Sequence, residues 1–191
     1  MIQIAIIVGS TRPGRNAEAV AHWVHKISEK RPDAKFEVVD LRDFNLPLLD
    51  EPMSARYVSM TNSQYANEYT RAWSSKISRF DGFIFVTPEY NHGIPGALKN
   101  AIDYLYGEWS NKAAGIVSYG AAGGLRAVSQ LRLVLVEVQM ASVSAEVNLS
   151  VYNDFENYKT FKPDPMHEER VKAMLDQLVA WSGALKNLRR N

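Results

Sequence analysis

Cysteine is absent from the 191 residues. That rules out a disulfide framework, a thiolate metal site and a cysteine nucleophile, and removes the usual sign of an oxidising compartment. Net charge is scarce as well. Lys and Arg number 22 against 21 Asp and Glu, a balance of +1, so no global field draws the chain to nucleic acid. No apolar run approaches the roughly 20 residues of a membrane span. The opening MIQIAIIVGS lacks both the basic region and the cleavage site of a secretory signal. A soluble cytoplasmic protein with no nucleic-acid or membrane partner is therefore expected. His22 and His25 share one side of a helix but have no evident third ligand, so no metal site is assigned.

Apolar residues make up 46% and charged residues 23%, ordinary values for a globular chain with a full core. One domain over residues 1–191 is the simplest reading of this length. Ile2 to Val8 is almost continuously apolar and stops at Gly9, as in a strand buried on both faces. Val20, Trp23, Val24 and Ile27 recur at helical spacing, and Arg31-Pro32 ends that helix. KFEVVDL (35–41) is a second strand. Residues 42–63, with Pro47 and Pro52, read as a long irregular loop serving as a lid or an oligomer contact. Ala66, Tyr69, Trp73, Ile77 and Phe80 mark a helix, FIFV a third strand, and a helix runs from Ala97 to Leu105. AAGIVSY (113–119), a helix over 125–138, ASVSAEVNL (141–149) and a closing helix through Val171, Met174, Leu178, Trp181, Leu185 and Leu188 complete the alternation.

Strands alternating with helices predict an α/β fold, with a parallel sheet covered on both faces. Five strands favour the order 2-1-3-4-5. Trp23, Trp73 and Trp181 read as core, whereas Trp109, in the polar YGEWSNK, is expected at a subunit contact or beside a ligand.

Ligands of such sheets bind beyond the carboxyl ends of the strands, where the strand order reverses. The loops GSTRPGRN, TPEYNHGIPG and SYGAAGG all fall on that edge. The first combines the Ser10 and Thr11 hydroxyls, Arg12, Arg15 and Asn16 with a helix start, a composition suited to a phosphate. Ser10, Thr11 and Asn16 are equally residues that cap a helix, and the position after the first strand favours the anion. The second offers rigid backbone from Pro88 to Asn91 and the Tyr90 ring, suited to a planar heterocycle or simply a strand-ending turn. Glycines in the third permit close approach or positive φ, for a ligand edge or for helix–strand packing. Arg126, in the first turn of its helix, sits where a cation is disfavoured. That placement suggests a carboxylate partner, across an oligomer interface for example.

GSTRPGRN, PEYNHGIPGALKNAIDYL, SYGAAGGLRAVSQLR and DLRDFNLPLLDEP together resemble the NADPH-dependent FMN reductase family, the flavodoxin-like group of quinone, azo-dye and chromate reductases. The resemblance covers residues 1 to about 150. It implies a flavodoxin-like three-layer sandwich. It implies FMN held at its phosphate by Ser10, Thr11, Arg12 and Asn16, and along its ring by Pro88, Glu89, Tyr90 and Asn91. Ser118, Tyr119, Gly120, Gly123 and Gly124 would close the other ring edge. Relatives often carry a small hydroxyl residue near position 15, where this chain has Arg15; Arg15 then either adds a phosphate contact or faces water.

The resemblance further implies hydride transfer from NADPH or NADH through flavin N5 to a small-molecule electron acceptor: free flavin, a quinone, an azo compound or a metal oxyanion. No protein side chain need act as catalytic acid or base. His92, beside the proposed ring site, is a loop residue or a contact for the incoming substrate. Family members are commonly homodimers or homotetramers. Two other readings of the same fold are a flavodoxin-like electron carrier and an FMN-binding module without NAD(P)H activity. The near-neutral charge and the arginine-bearing loop argue against the carrier.

Overall fold

A computed structural model describes residues 1–189. Strands β1 (Ile2–Val8), β2 (Ala34–Asp40), β3 (Gly82–Pro88), β4 (Ala113–Gly120) and β5 (Ala141–Ser150) form one sheet in the order β2-β1-β3-β4-β5. All four ladders are parallel. Helices α1 (Ala17–Ser28), α2 (Ala55–Thr61), α3 (Glu68–Ser78), α4 (Gly96–Asp103), α5 (Leu125–Glu137) and α6 (Met166–Lys186) cover it. The expected α/β class and the 2-1-3-4-5 order are found.

The near-continuous apolar strands follow from having two cores. In β3, Phe83 and Phe85 face a cluster built with Trp73 and Ile77 of α3, Ile102 of α4 and Leu131 of α5. Ile84 and Val86 alternate to the opposite face, among Val20 and Val24 of α1 and Val171, Leu175 and Leu178 of α6. Period-two alternation between two apolar layers leaves no polar side for the strand to show. No helix among the described residues is long and apolar enough to cross a membrane.

The structure corrects several expectations. Residues 42–63 are not one irregular loop. A 3-10 turn spans Leu41–Phe44, and Ser54 caps α2 by accepting the Tyr57 N–H at 3.3 Å. Only Val58 of α2 is buried, so the helix shows no apolar stripe. Trp109 is fully buried within this chain, edge-on to Phe83 at 4.9 Å between ring centres, and its indole N–H donates to Ile102 O at 3.1 Å. The polar segment around it delivers a single side chain to the core. Trp181 is 44% exposed rather than core, and Trp23 is half-buried against Phe161. An antiparallel hairpin, β6 (Phe155–Glu156) and β7 (Thr160–Phe161), escapes sequence reading because two-residue strands carry no periodicity.

Lys112, just before β4, is only 4% exposed. Its Nζ donates to Ile77 O at 3.1 Å and Ser78 O at 3.4 Å, the last carbonyls of α3. It borders a cavity of about 700 Å³ at the end of the sheet opposite the three glycine-bearing loops. Burial, with repulsion from Arg189, pushes the ammonium pKa down to about 7. Since the unfolded lysine keeps its proton to about 10.4, the unfolded state binds the extra proton in between. Stability attributable to Lys112 therefore rises with pH from about 7 to about 10. Lys112→Met should flatten that rise, read as the difference in urea midpoint between pH 7 and pH 9.5 for the variant and the parent.

Candidate functional site

The order reversal at β1 brings the loops after β1, β3 and β4 to one edge. Gly9 N–H donates to Val86 O at 2.9 Å, tying the first loop to β3. A Cβ at Gly9 would lie 2.7 Å from that oxygen, so the approach requires glycine. Ser10 is fully buried, and its Oγ lies 2.8 Å from the Tyr90 hydroxyl. The first and second loops are therefore joined directly.

The two arginines of the first loop do opposite things. Arg15 turns inward, its side chain 3% exposed. It donates to Ser10 O at 3.0 Å and pairs with Asp40 at the end of β2. It does not face water, which corrects that expectation, and its terminal nitrogens are engaged by Ser10 and Asp40. Arg12 points outward, its guanidinium carbon 5.8 Å from the Tyr90 ring centre. The Thr11 and Arg12 side chains make no hydrogen bond among the described residues. Asn16 stands at the start of α1 but makes no side-chain cap; its amide donates to Tyr158 O at 3.1 Å, in the turn of the β6–β7 hairpin. The N-terminus of α1 thus keeps donors free of side-chain caps.

The second loop is a tight turn. Tyr90 and Gly93 exchange backbone hydrogen bonds at 2.9 and 3.0 Å. Asn91 and His92 between them have φ of 50° and 67°, a type I′ arrangement. Pro88 ends β3, and Glu89 N–H donates to Tyr119 O at 3.1 Å. The Glu89 side chain is committed elsewhere. It accepts from the Arg126 and Ala127 N–H groups at 3.0 and 3.3 Å and pairs with the Arg126 guanidinium. Burial pushes the Glu89 pKa up, but Arg126 and the two N–H groups outweigh it and hold the acid below its ordinary value. The carboxylate partner expected for Arg126 is real and lies in the same chain, not across an interface. Arg126 also donates to His92 Nε2 at 2.9 Å, with that nitrogen as acceptor.

In the third loop, Ser118 is buried and donates to Gly123 O at 2.6 Å while accepting from the Asn148 amide at 2.9 Å. Gly124 has φ of 75°, and a Cβ there would lie 2.9 Å from that of Ser118. Gly120 lies against the Cβ of Glu89, 3.3 Å from where its own would stand. Tyr119 is 6% exposed and packs on Phe155. Burial raises its pKa. Ser118, Gly123 and Gly124 therefore shape the loop from within, and Tyr119 packs into the core beside Phe155.

The edge so formed offers an outward cation and hydroxyl beside uncapped helix donors, a phenol, and two rigid backbone turns. That donor set fits an anion joined to a planar group. Arg15→Ala would leave the Asp40 carboxylate without its counter-charge and the Ser10 carbonyl without its donor. It should lower unfolding stability by roughly 1–3 kcal/mol, measured by urea denaturation. An unchanged midpoint would contradict the structural role.

Residues 2–154 match the family model described as NADPH-dependent FMN reductase. An NAD(P)H-dependent FMN reductase of Nectria sp is 46% identical over 133 residues, covering 69% of this chain and 66% of that protein. One from Schizosaccharomyces pombe is 45% identical, covering 68% and 64%. The aligned stretch thus spans slightly under two thirds of those two relatives. A quinone reductase of Pseudomonas putida (strain KT2440) is 36% identical, covering 72% and 71%. Among solved structures, the Paracoccus denitrificans flavoenzyme FerB, an NAD(P)H:(acceptor) oxidoreductase, superposes with a TM-score of 0.71. That match is 22% identical, covers 96% and 98% of the two chains, and bears on the fold alone. With its family model matched from the first strand to the end of the fifth, the chain belongs to the NADPH-dependent FMN reductase family.

Proposed function

We propose that the chain is an FMN-dependent NAD(P)H oxidoreductase delivering electrons to a small acceptor of the quinone or flavin class, with residues 1–191 acting as one domain. The observation that carries this reading is the division between the two arginines. A loop held from beneath by buried Arg15 presents Arg12 and Thr11, whose side chains make no hydrogen bond among the described residues, at a helix start that Asn16 does not cap. FMN, when bound, supplies the hydride chemistry.

The chain's own residues bind and orient. Arg12, Thr11 and the first N–H groups of α1 hold the phosphate. The backbone of Pro88 to Asn91 and of the Gly120–Gly124 loop meets the ring edge as fixed donors and acceptors. The Ser10–Tyr90 hydrogen bond keeps the two binding regions in register. No side-chain acid or base is assigned to the reaction. Cytoplasmic NAD(P)H as the reductant is consistent with a cysteine-free chain.

Pairing of two copies is supported by the outer face of α5, where Leu133 and Val136 are 77% and 70% exposed. Met60 of α2, on the same side of the sheet, is 75% exposed. Such apolar exposure marks association surfaces.

FMN-loaded protein, which should run as a dimer by light scattering, is expected to lose its visible flavin absorption when NADPH is added without oxygen. It should regain that absorption when a quinone follows. Flavin left oxidised by both NADPH and NADH would favour an electron carrier, and failure to take up FMN would favour a module of another kind.

A further inference from the structure

Beside the first loop, between the segment after β2 and α4, lies a separate crevice of about 310 Å³. Thr11 is the residue it shares with the loop assigned to the FMN phosphate. Its polar lining is Thr11, Arg42, Asn45 and Asn100, and its apolar lining Leu41, Leu46, Ala97 and Ala101. Arg42 is exposed, and its guanidinium makes no ion pair or hydrogen bond among the described residues. Only its backbone N–H is engaged, donating to Asp40 Oδ1 at 3.0 Å. Asp40 is the acid best placed to attract Arg42, yet it is already paired with Arg15. Asp43 does not line the crevice. The fold therefore leaves an unpaired cation at a part-apolar crevice that meets the flavin site at Thr11. Asn45, in the left-handed region at φ 44°, turns the chain at the mouth.

We infer that this crevice receives the 2′-phosphoadenosine end of NADPH, with Arg42 gripping the 2′-phosphate. The inference rests on the oxidoreductase reading above. A phosphomonoester accepts two parallel hydrogen bonds from a guanidinium, and the leucine and alanine side chains of the lining suit an adenine ring. NADH carries a hydroxyl where NADPH carries this phosphate, so one unpaired guanidinium here sets the preference between the two. Free FMN as an acceptor also carries a phosphomonoester, and the experiment separates the two sources.

Calorimetric titration of the FMN-loaded protein with 2′,5′-ADP and with 5′-AMP tests the site without turnover. Arg42→Gln should weaken 2′,5′-ADP roughly tenfold and leave 5′-AMP unchanged, and Arg42→Lys should recover part of the loss. With a quinone as acceptor, KM for NADPH should rise by a similar factor while KM for NADH and both kcat values hold. Equal effects on the two dinucleotides, or none, would overturn the inference. So would a defect confined to FMN against riboflavin as acceptor. Reduction of the parent protein by NADH stands as a separate control. If neither dinucleotide reduces the parent, the oxidoreductase reading fails; if NADH does and Arg42 makes no difference to NADPH, only the 2′-phosphate assignment fails.

Discussion

Parallel strands need crossover helices, and the crossovers must lie on the faces of the sheet. In this chain α1 and α6 take one face while α3, α4 and α5 take the other. β1 is consequently flanked by β2 on one side and β3 on the other. The connections leaving β1 and β3 turn to opposite faces and part over the sheet edge. A polar, concave edge is thus a product of the winding, and the residues that follow each strand determine what it can hold.

Much of the conspicuous chemistry at that edge is internal. Arg15 holds Ser10 and Asp40, Glu89 holds the start of α5 through Arg126 and two N–H groups, and Ser118 holds Gly123. Each fixes a loop that would otherwise be flexible. The side chains of Arg12, Thr11 and Arg42 make no such bond among the described residues and are exposed. Exposed groups proposed to bind a ligand gain from such anchoring, because the backbone beneath them is held in place.

The elements that were legible in the sequence were those whose pattern is set by burial on two faces. Ile2–Val8 and Gly82–Pro88 are apolar at nearly every position, and Val20, Val24 and Ile27 follow a helical period. The positions of the three loops followed from topology. The direction of each loop side chain did not. Arg12 and Arg15 are three residues apart and chemically identical, and Asp40, brought in by β1–β2 pairing, together with the Ser10 carbonyl draws one of them inward. Arg126 likewise signalled a carboxylate, but its partner, Glu89, lies 37 positions away and is adjacent only through β3–β4 pairing. Trp109 was misjudged because flanking polarity reports the path of the backbone, not the direction of one ring. Ser54 before α2 was a readable cap, obscured by two nearby prolines.

Arg12 is proposed as the outward phosphate ligand of a loop whose shape does not depend on it. The FMN affinity of Arg12→Ala, measured by quenching of flavin fluorescence, tests this most directly. Loss of a charge-assisted grip on a phosphate should weaken binding by about tenfold or more, with the urea midpoint of the apoprotein unchanged. FMN binding as tight as in the parent would contradict the assignment.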